Sequence, residues 1–258
     1  MLANIPVGLQ LYTLREELGH DFIGTLKKVA DIGYRAVEFA GYGDIPAREM
    51  KKLLDELGIM AASSHVGLPL GNRELLASTL AYHIEYNKEI GNRYLVVPWA
   101  PLDQLNHVDE LQPVLDDLRF AAEACKQGGI GLLYHNHAME FNKLGDKTIH
   151  ELLFESIGPE LLQAELDLYW VKKAGLDPKS MLCRFKGRAP IIHVKDMTAD
   201  ERGFFTEVGR GIINYPAIFE KAAELGVEYF IVEQDQCERP PLESVKISFD
   251  YMRSLGIV

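Results

Sequence analysis

The stretch KQGGIGLLYHNHAMEF, Lys126 to Phe141, carries three signals in succession. Paired glycines supply the left-handed backbone that ends a helix. An apolar run, Ile130–Leu133, follows and reads as a strand buried on both faces. Then come His135, Asn136, His137 and Glu140. Buried strands do not usually end in so many polar groups, so this end marks an edge where chemistry can sit.

The same order recurs along the chain. Glycine leads into an apolar run in ADIGYRAVEF, DELGIMAASS, KEIGNRYLVV and AELGVEYFIV. The strand-like runs are Val7–Gln10, Ala36–Phe39, Met60–Ser64, Tyr94–Pro98, Gly131–His135, Gln163–Leu168, Pro190–Val194 and Tyr229–Glu233. Amphipathic segments lie between them at Asp21–Gly33, Pro46–Gly58, Val108–Gly128, Tyr215–Gly226 and Leu242–Gly256. Asp21 is placed to cap its helix, and Pro46 suits a first turn. Eight strands, each followed by a helical segment and ending roughly every 25–40 residues, predict βα units. In a chain of 258 residues they predict one α/β domain, a (β/α)₈ TIM barrel over residues 1–258. An open doubly wound sheet ranks lower, because no GxGxxG turn follows the first strand.

Composition narrows the function. With 27 Lys+Arg against 38 Asp+Glu, the formal net charge is −11, a poor match for nucleic-acid phosphates. Cys125, Cys183 and Cys237 are odd in number and form no CxxC pair, so neither a disulfide framework nor a zinc knuckle is expected. No run of about 18 apolar residues suggests a membrane span. The N-terminal residues do not read as a secretory signal, so a cytoplasmic location is the expectation.

In a barrel of this kind the active site lies at the C-terminal ends of the strands. Those ends carry Gln10 and Tyr12, Glu38, His65, Trp99, the group His135/His137/Glu140, Asp167, the group His193/Lys195/Asp196, and Glu233. Glu140, Asp167, His193 and Glu233 come from four successive strands and form an oxygen-rich set. Such a set favours Mn²⁺, Mg²⁺ or Co²⁺ and also admits Zn²⁺. Each member has a plainer reading. Asp167 is also a natural helix cap, His193 a satisfied core histidine, and Lys195 and Asp196 a local ion pair. Glu233 lies in the apolar run FIVEQ, where an unpaired carboxylate is costly, so it needs a cation. Glu38 and His65 read as substrate contacts or as support for the ligands. Trp99 and Trp170 read as core residues or sugar-stacking walls. His20, His83, His107 and His150 fall on helices or their edges and are assigned no role.

The segments GLQLYTLR, YHNHAMEF, ELDLYWVKKAGLDP, IIHVKDM and EVGRGIINYPAIFEKAAELGVEYFIVEQD together resemble the xylose isomerase-like TIM-barrel superfamily, and within it the sugar phosphate isomerase/epimerase group. The resemblance spans the chain and is weakest between Pro69 and Asn92. It implies a divalent metal held at the ends of strands five to eight, with Asp167, His193 and Glu233 matching three ligands. The fourth is Glu140, or His135 in its place, because relatives carry a glutamate at the strand end itself.

A metal-bound carbonyl beside a hydroxyl acidifies the α-carbon, and the resulting enediolate can isomerise, epimerise or eliminate. His135, Glu140 and Glu233 are the candidate acid/base groups, with Lys195 at the oxyanion. Gln10, Glu38, His65, His137, Trp99 and Arg210 are the candidate substrate contacts. The leading expectation is a sugar or sugar phosphate isomerase/epimerase. The alternative is a dehydratase or lyase acting on a keto-sugar or inositol derivative. A non-catalytic sugar-binding protein and an abasic-site endonuclease rank below both. A small-molecule sugar partner is expected, without nucleic acid or membrane, and a homo-oligomer is compatible. For a phosphate, the loop Gly209–Arg210–Gly211 is the one candidate; its simpler reading is a turn that closes the pocket.

Overall fold

The apolar runs form eight parallel strands in a computed structural model that describes residues 5–258. They are β1 (Val7–Gln10), β2 (Ala36–Phe39), β3 (Met60–His65), β4 (Tyr94–Val97), β5 (Gly131–His135), β6 (Leu162–Asp167), β7 (Ile191–Val194) and β8 (Tyr229–Val232). Each pairs with its sequence neighbours, and β1 also pairs with β8, so the sheet closes into a barrel. The TIM barrel read from the alternation is therefore the fold. Strand limits move by one residue at several ends, because the pairing stops where the chain turns outward.

Helices wrap the outside. Asp21 caps Phe22–Ile32 by accepting the Gly24 N–H at 2.9 Å. Gly58, at φ 63°, ends Ala47–Leu57 in the left-handed region that a side chain would resist. The weakly matching stretch between Pro69 and Asn92 folds as the 18-residue helix Arg73–Ile90, capped by Asn72. Several units depart from a plain strand–helix pattern, among them the hairpin Lys143–Leu144 with Lys147–Thr148 after β5. After β6 the chain makes two short helices, Leu168–Lys173 and Pro178–Arg184. After β7 it makes a small hairpin, Asp196–Met197 with Phe205–Thr206, before the helix Tyr215–Ala222. Among the described residues, no helix is long and apolar enough to cross a membrane.

Two apolar clusters result from the two-residue period of the strands. The larger fills the space between sheet and helices. The smaller plugs the barrel with Ala36, Ala62, Tyr94, Val96, Leu133, Ile191 and Ile231. The plug is tight at Gly8. A Cβ there would lie 2.7 Å from Ile231 Cδ1 and 3.1 Å from the Ala36 carbonyl. Next along the strands, at their C-terminal ends, the inward positions become polar, and the site begins there.

Candidate functional site

The inward end positions place Glu38, His65, His135, Glu165, Asp167, His193 and Glu233 side by side, and all but His65 are fully or almost fully buried. They form two connected sets that share His193.

The outer set faces the barrel mouth. His193 Nδ1 lies 2.9 Å from Glu233 Oε2 and 3.7 Å from Asp167 Oδ2. His135 Nε2 lies 3.7 Å from the same Asp167 oxygen. Lys195 Nζ sits 2.8 Å from Asp167, 2.6 Å from Glu233 and 2.9 Å from Asp235. Asp167 serves two purposes. Its Oδ1 accepts the Trp170 N–H at 2.9 Å and caps the next helix, while the buried Oδ2 accepts no hydrogen bond despite its lysine neighbour. Asn136 brackets the Asp167 backbone, accepting its N–H at 3.0 Å and donating to its carbonyl at 3.2 Å.

The inner set lies beneath. Glu165 Oε1 is 2.7 Å from His65 Nε2, 3.0 Å from His135 Nδ1 and 3.0 Å from His193 Nε2. Glu38 Oε1 is 2.7 Å from His193 Nε2 and 3.1 Å from His65 Nε2. It also accepts from Gln10 Nε2 at 2.7 Å, and its second oxygen accepts from Ser63 Oγ. The His65 and His193 rings lie parallel, 5.5 Å apart.

The charges are strongly coupled. Burial alone would raise Glu38, but His65 and His193 hold it well below its ordinary value. Burial opposes the charge on His65, yet Glu38 and Glu165 push the ring up to about 10. His193 is likewise raised against burial by Glu165 and Glu38. Burial would raise Glu233, but Lys195 and His193 bring it down to about 2. Glu165 is pushed up by burial and by the Glu38 charge. Burial, with His193 next, holds His135 well below the usual imidazole value. Burial and Lys195 bring His137 to about 4.

A cavity of about 420 Å³ opens above the outer set, lined by Tyr12, Ala40, His65, Pro98, Trp99, His135, His137, Lys195, Glu233 and Asp235. Trp99 and Tyr12 form exposed walls. His137 Nδ1 is buried without a hydrogen-bond partner.

Several expected residues lie elsewhere. Glu140 is fully buried, but it is not among the converging donors. Its Oε1 accepts from Tyr134 Oη at 2.9 Å, and its Oε2 accepts the His137 N–H at 2.8 Å. The short 3₁₀ turn Met139–Phe141 folds it back against its own strand. The expected fourth ligand and acid/base is thus engaged by Tyr134 and the His137 N–H in this structure, and His135 is the strand-five side chain that stands beside Asp167. Arg210 is exposed and does not line the cavity. Gln10 and Glu38 lie under the donors rather than on the cavity wall. Asp196 is no partner of Lys195. It accepts the N–H groups of Met197, Gly209, Gly211 and Ile213 at 2.9–3.1 Å and so fixes the Gly209–Gly211 loop. A Cβ on Gly211 would fall 2.2 Å from the Asp196 carboxylate.

Glu165 and Asp235 were missed in the sequence. Glu165 is two residues before Asp167, so the period of two put it on the same inward face.

The donor set suits a divalent cation. Two buried carboxylates and an imidazole converge, a second imidazole stands at their edge, and one buried carboxylate oxygen has no hydrogen bond. Asp167, Glu233, His193 and His135 are the residues that would hold it.

Comparison with known proteins agrees with this architecture. The family profile described as xylose isomerase-like TIM barrel matches residues 26–255. An inosose dehydratase from Geobacillus kaustophilus (strain HTA426) is 26% identical, over 89% of this chain and 86% of that protein. One from Mesomycoplasma hyopneumoniae (strain 7448) is 27% identical, over 98% of this chain and 97% of that protein. A crystal structure of a sugar phosphate isomerase/epimerase from Parabacteroides distasonis ATCC 8503 superposes with a TM-score of 0.85 at 27% identity, covering 99% and 96% of the two chains.

Proposed function

Because this chain belongs to the xylose isomerase-like TIM-barrel family, we propose that it is a divalent-metal-dependent dehydratase of a neutral keto-sugar or keto-cyclitol of the inosose type. The observation that carries the metal reading is the buried outer set, where Asp167, Glu233 and His193 turn their donor atoms together at the floor of the cavity. Relatives named inosose dehydratase, similar over most of their length, favour elimination over isomerisation.

A bound Mn²⁺, Co²⁺ or similar ion would polarise the substrate carbonyl and acidify the neighbouring C–H. The chain's own groups do the rest. His137, whose ring lines the cavity, takes the α-proton. Lys195, held cationic by three carboxylates, donates a hydrogen bond to the oxygen that gains charge. The C–O bond at the β-carbon then breaks, and its electron pair leaves with the hydroxide. Asp235, on the cavity wall with its carboxyl pushed up by burial, supplies the proton for water from its protonated form, Lys195 then being held by Asp167 and Glu233. Trp99 and Tyr12 offer flat surfaces to the apolar face of a ring.

A phosphorylated substrate fits this lining poorly. Among the described residues Lys195 is the only Lys or Arg on it, and Glu233 and Asp235 add negative charge.

The test is incubation of the purified protein with Mn²⁺ or Co²⁺ and an inosose, with the product mass measured. A product lighter by one water supports the proposal. No water loss with any divalent ion refutes it. The second reading, isomerase or epimerase, is favoured by the structural relative and predicts a product of unchanged mass that carries solvent deuterium.

A further inference from the structure

We infer that Glu165, with Glu38 beside it, is a positioning residue that holds the far ring nitrogens of the two candidate metal-binding histidines and sets which nitrogens face the metal. The inference rests on the metal reading above and extends it to residues below the ligands.

The geometry is reciprocal. His135 turns Nε2 toward Asp167 Oδ2 and Nδ1 toward Glu165 Oε1, at 3.7 and 3.0 Å. His193 turns Nδ1 toward Glu233 and Asp167, and Nε2 toward Glu38 and Glu165. Each ring thus has one nitrogen in the outer set and the other against a buried carboxylate. A carboxylate that accepts the distal N–H locks the tautomer, fixes the ring plane and makes the metal-facing nitrogen a better donor. Glu165 does this for His135 at 3.0 Å, and the same oxygen lies 3.0 Å from His193 Nε2, which is hydrogen-bonded to Glu38 at 2.7 Å. Glu38 grips only His193, and it is itself held by Gln10 and Ser63. His65, touching both carboxylates, is the cation that balances them in the interior.

A competing arrangement puts a second ion among His65, His135, Glu165 and His193, since their donor atoms also converge. The inferred role differs in stoichiometry. It requires one ion per chain, with His193 Nε2 occupied by a carboxylate.

The experiment is Mn²⁺ titration, calorimetric and by elemental analysis, of the wild type, Glu165→Gln and Glu38→Gln, all first stripped by chelator. Circular dichroism and thermal unfolding check each metal-free variant. The expected result is one ion per chain in all three. Affinity should fall about 10–100-fold in Glu165→Gln and less in Glu38→Gln. The Co²⁺ visible absorption should also change in Glu165→Gln, because the histidine donors are reoriented. That spectral change separates positioning from a general loosening of the barrel. If Glu165→Gln does not fold, Glu38→Gln carries the test, with a smaller loss of affinity and a shifted Co²⁺ spectrum.

Affinity and spectrum unchanged in the folded variants overturn the inference. Two ions in the wild type falling to one in Glu165→Gln overturn it as well, making Glu165 a ligand. A wild type that binds no divalent ion overturns the metal reading itself, whereas a metal-binding protein that fails to dehydrate its substrate overturns only the proposed reaction.

Discussion

Glu140 lies in the most conspicuous motif of the chain, yet its carboxylate acts as a strut. It ties Tyr134 Oη, buried on β5, to the half-buried His137 N–H in the loop beyond. Replacing Glu140 by Ala removes two hydrogen bonds to a charged acceptor, each worth about 1.5–3 kcal/mol, so about 3–6 kcal/mol of stability should be lost. Gln is expected to behave differently. Its carbonyl can accept the His137 N–H, and its amide can donate to Tyr134 Oη. It also carries no buried charge, and burial already pushes the Glu140 carboxyl up. The cost to Glu140→Gln should stay near 1 kcal/mol. Guanidinium unfolding followed by tryptophan fluorescence measures both losses, and Mn²⁺ titration of Glu140→Gln completes the assay. A strut leaves the ion's affinity within about twofold. A metal ligand loses it by orders of magnitude, as Asp167→Asn should. Wild-type stability together with lost Mn²⁺ binding in Glu140→Gln would refute the strut and return Glu140 to the metal.

Lys195→Met strands three carboxylates around the former ammonium, so the metal-free protein should lose about 3–5 kcal/mol, while Mn²⁺ should raise its melting temperature more than that of the wild type. Equal thermal shifts would count against a shared cationic role. His150 is buried among Phe141, Phe154 and Phe185, and burial lowers it to about 3. Its depressed folded value means that stability is lost as pH falls below the unfolded value near 6.5. Between pH 7 and 5 the loss should be about 2 kcal/mol, visible as that much extra acid sensitivity of the wild type over His150→Phe in denaturant titrations. Trp99→Ala should raise KM about 2- to 10-fold, equivalent to roughly 0.5–1.5 kcal/mol of aromatic contact, with stability nearly unchanged because the ring is exposed. An unchanged KM would remove it from the substrate wall.

The barrel was legible because short apolar runs and glycine-ended helices are local consequences of backbone geometry and of burial on both faces. Most inward strand-end donors were legible for the same reason, since β-strand alternation assigns them to one face. Glu165 escaped because attention to strand ends stops at Asp167, whereas the polar layer runs one step deeper. Glu140 and Arg210 were misplaced because both lie in loops. There the direction of a side chain depends on partners distant in sequence or on a single 3₁₀ turn, and no periodicity reports it. The Gly209–Gly211 loop is held by Asp196, thirteen and more residues earlier, through backbone amides whose direction no side-chain pattern reports.

Exchanging Glu140 for His135 alters the chemistry that the centre can support. Three carboxylates and one imidazole would give a hard site with a net charge of −3. The set in the structure has two carboxylates and two imidazoles, which with both rings neutral would carry a charge of −2 that one divalent ion cancels. More nitrogen shifts preference from Mg²⁺ toward Co²⁺, Zn²⁺ and Mn²⁺. The carboxylate removed from the ligand set is not absent from the region, because Glu165 and Glu38 stand one layer below and, on the inference above, would act on a bound metal through the imidazole rings. Negative charge moved from the ligands to the groups behind them leaves the ion more electrophilic toward a carbonyl, while the rings stay oriented. Lys195 adds a fixed positive charge on the substrate side of the same ion. Both features favour build-up of negative charge on a substrate oxygen, the step that elimination, isomerisation and epimerisation share. The outcome is then decided by which proton donor reaches the next atom, and for a departing hydroxyl the proposed donor is Asp235 at the cavity wall.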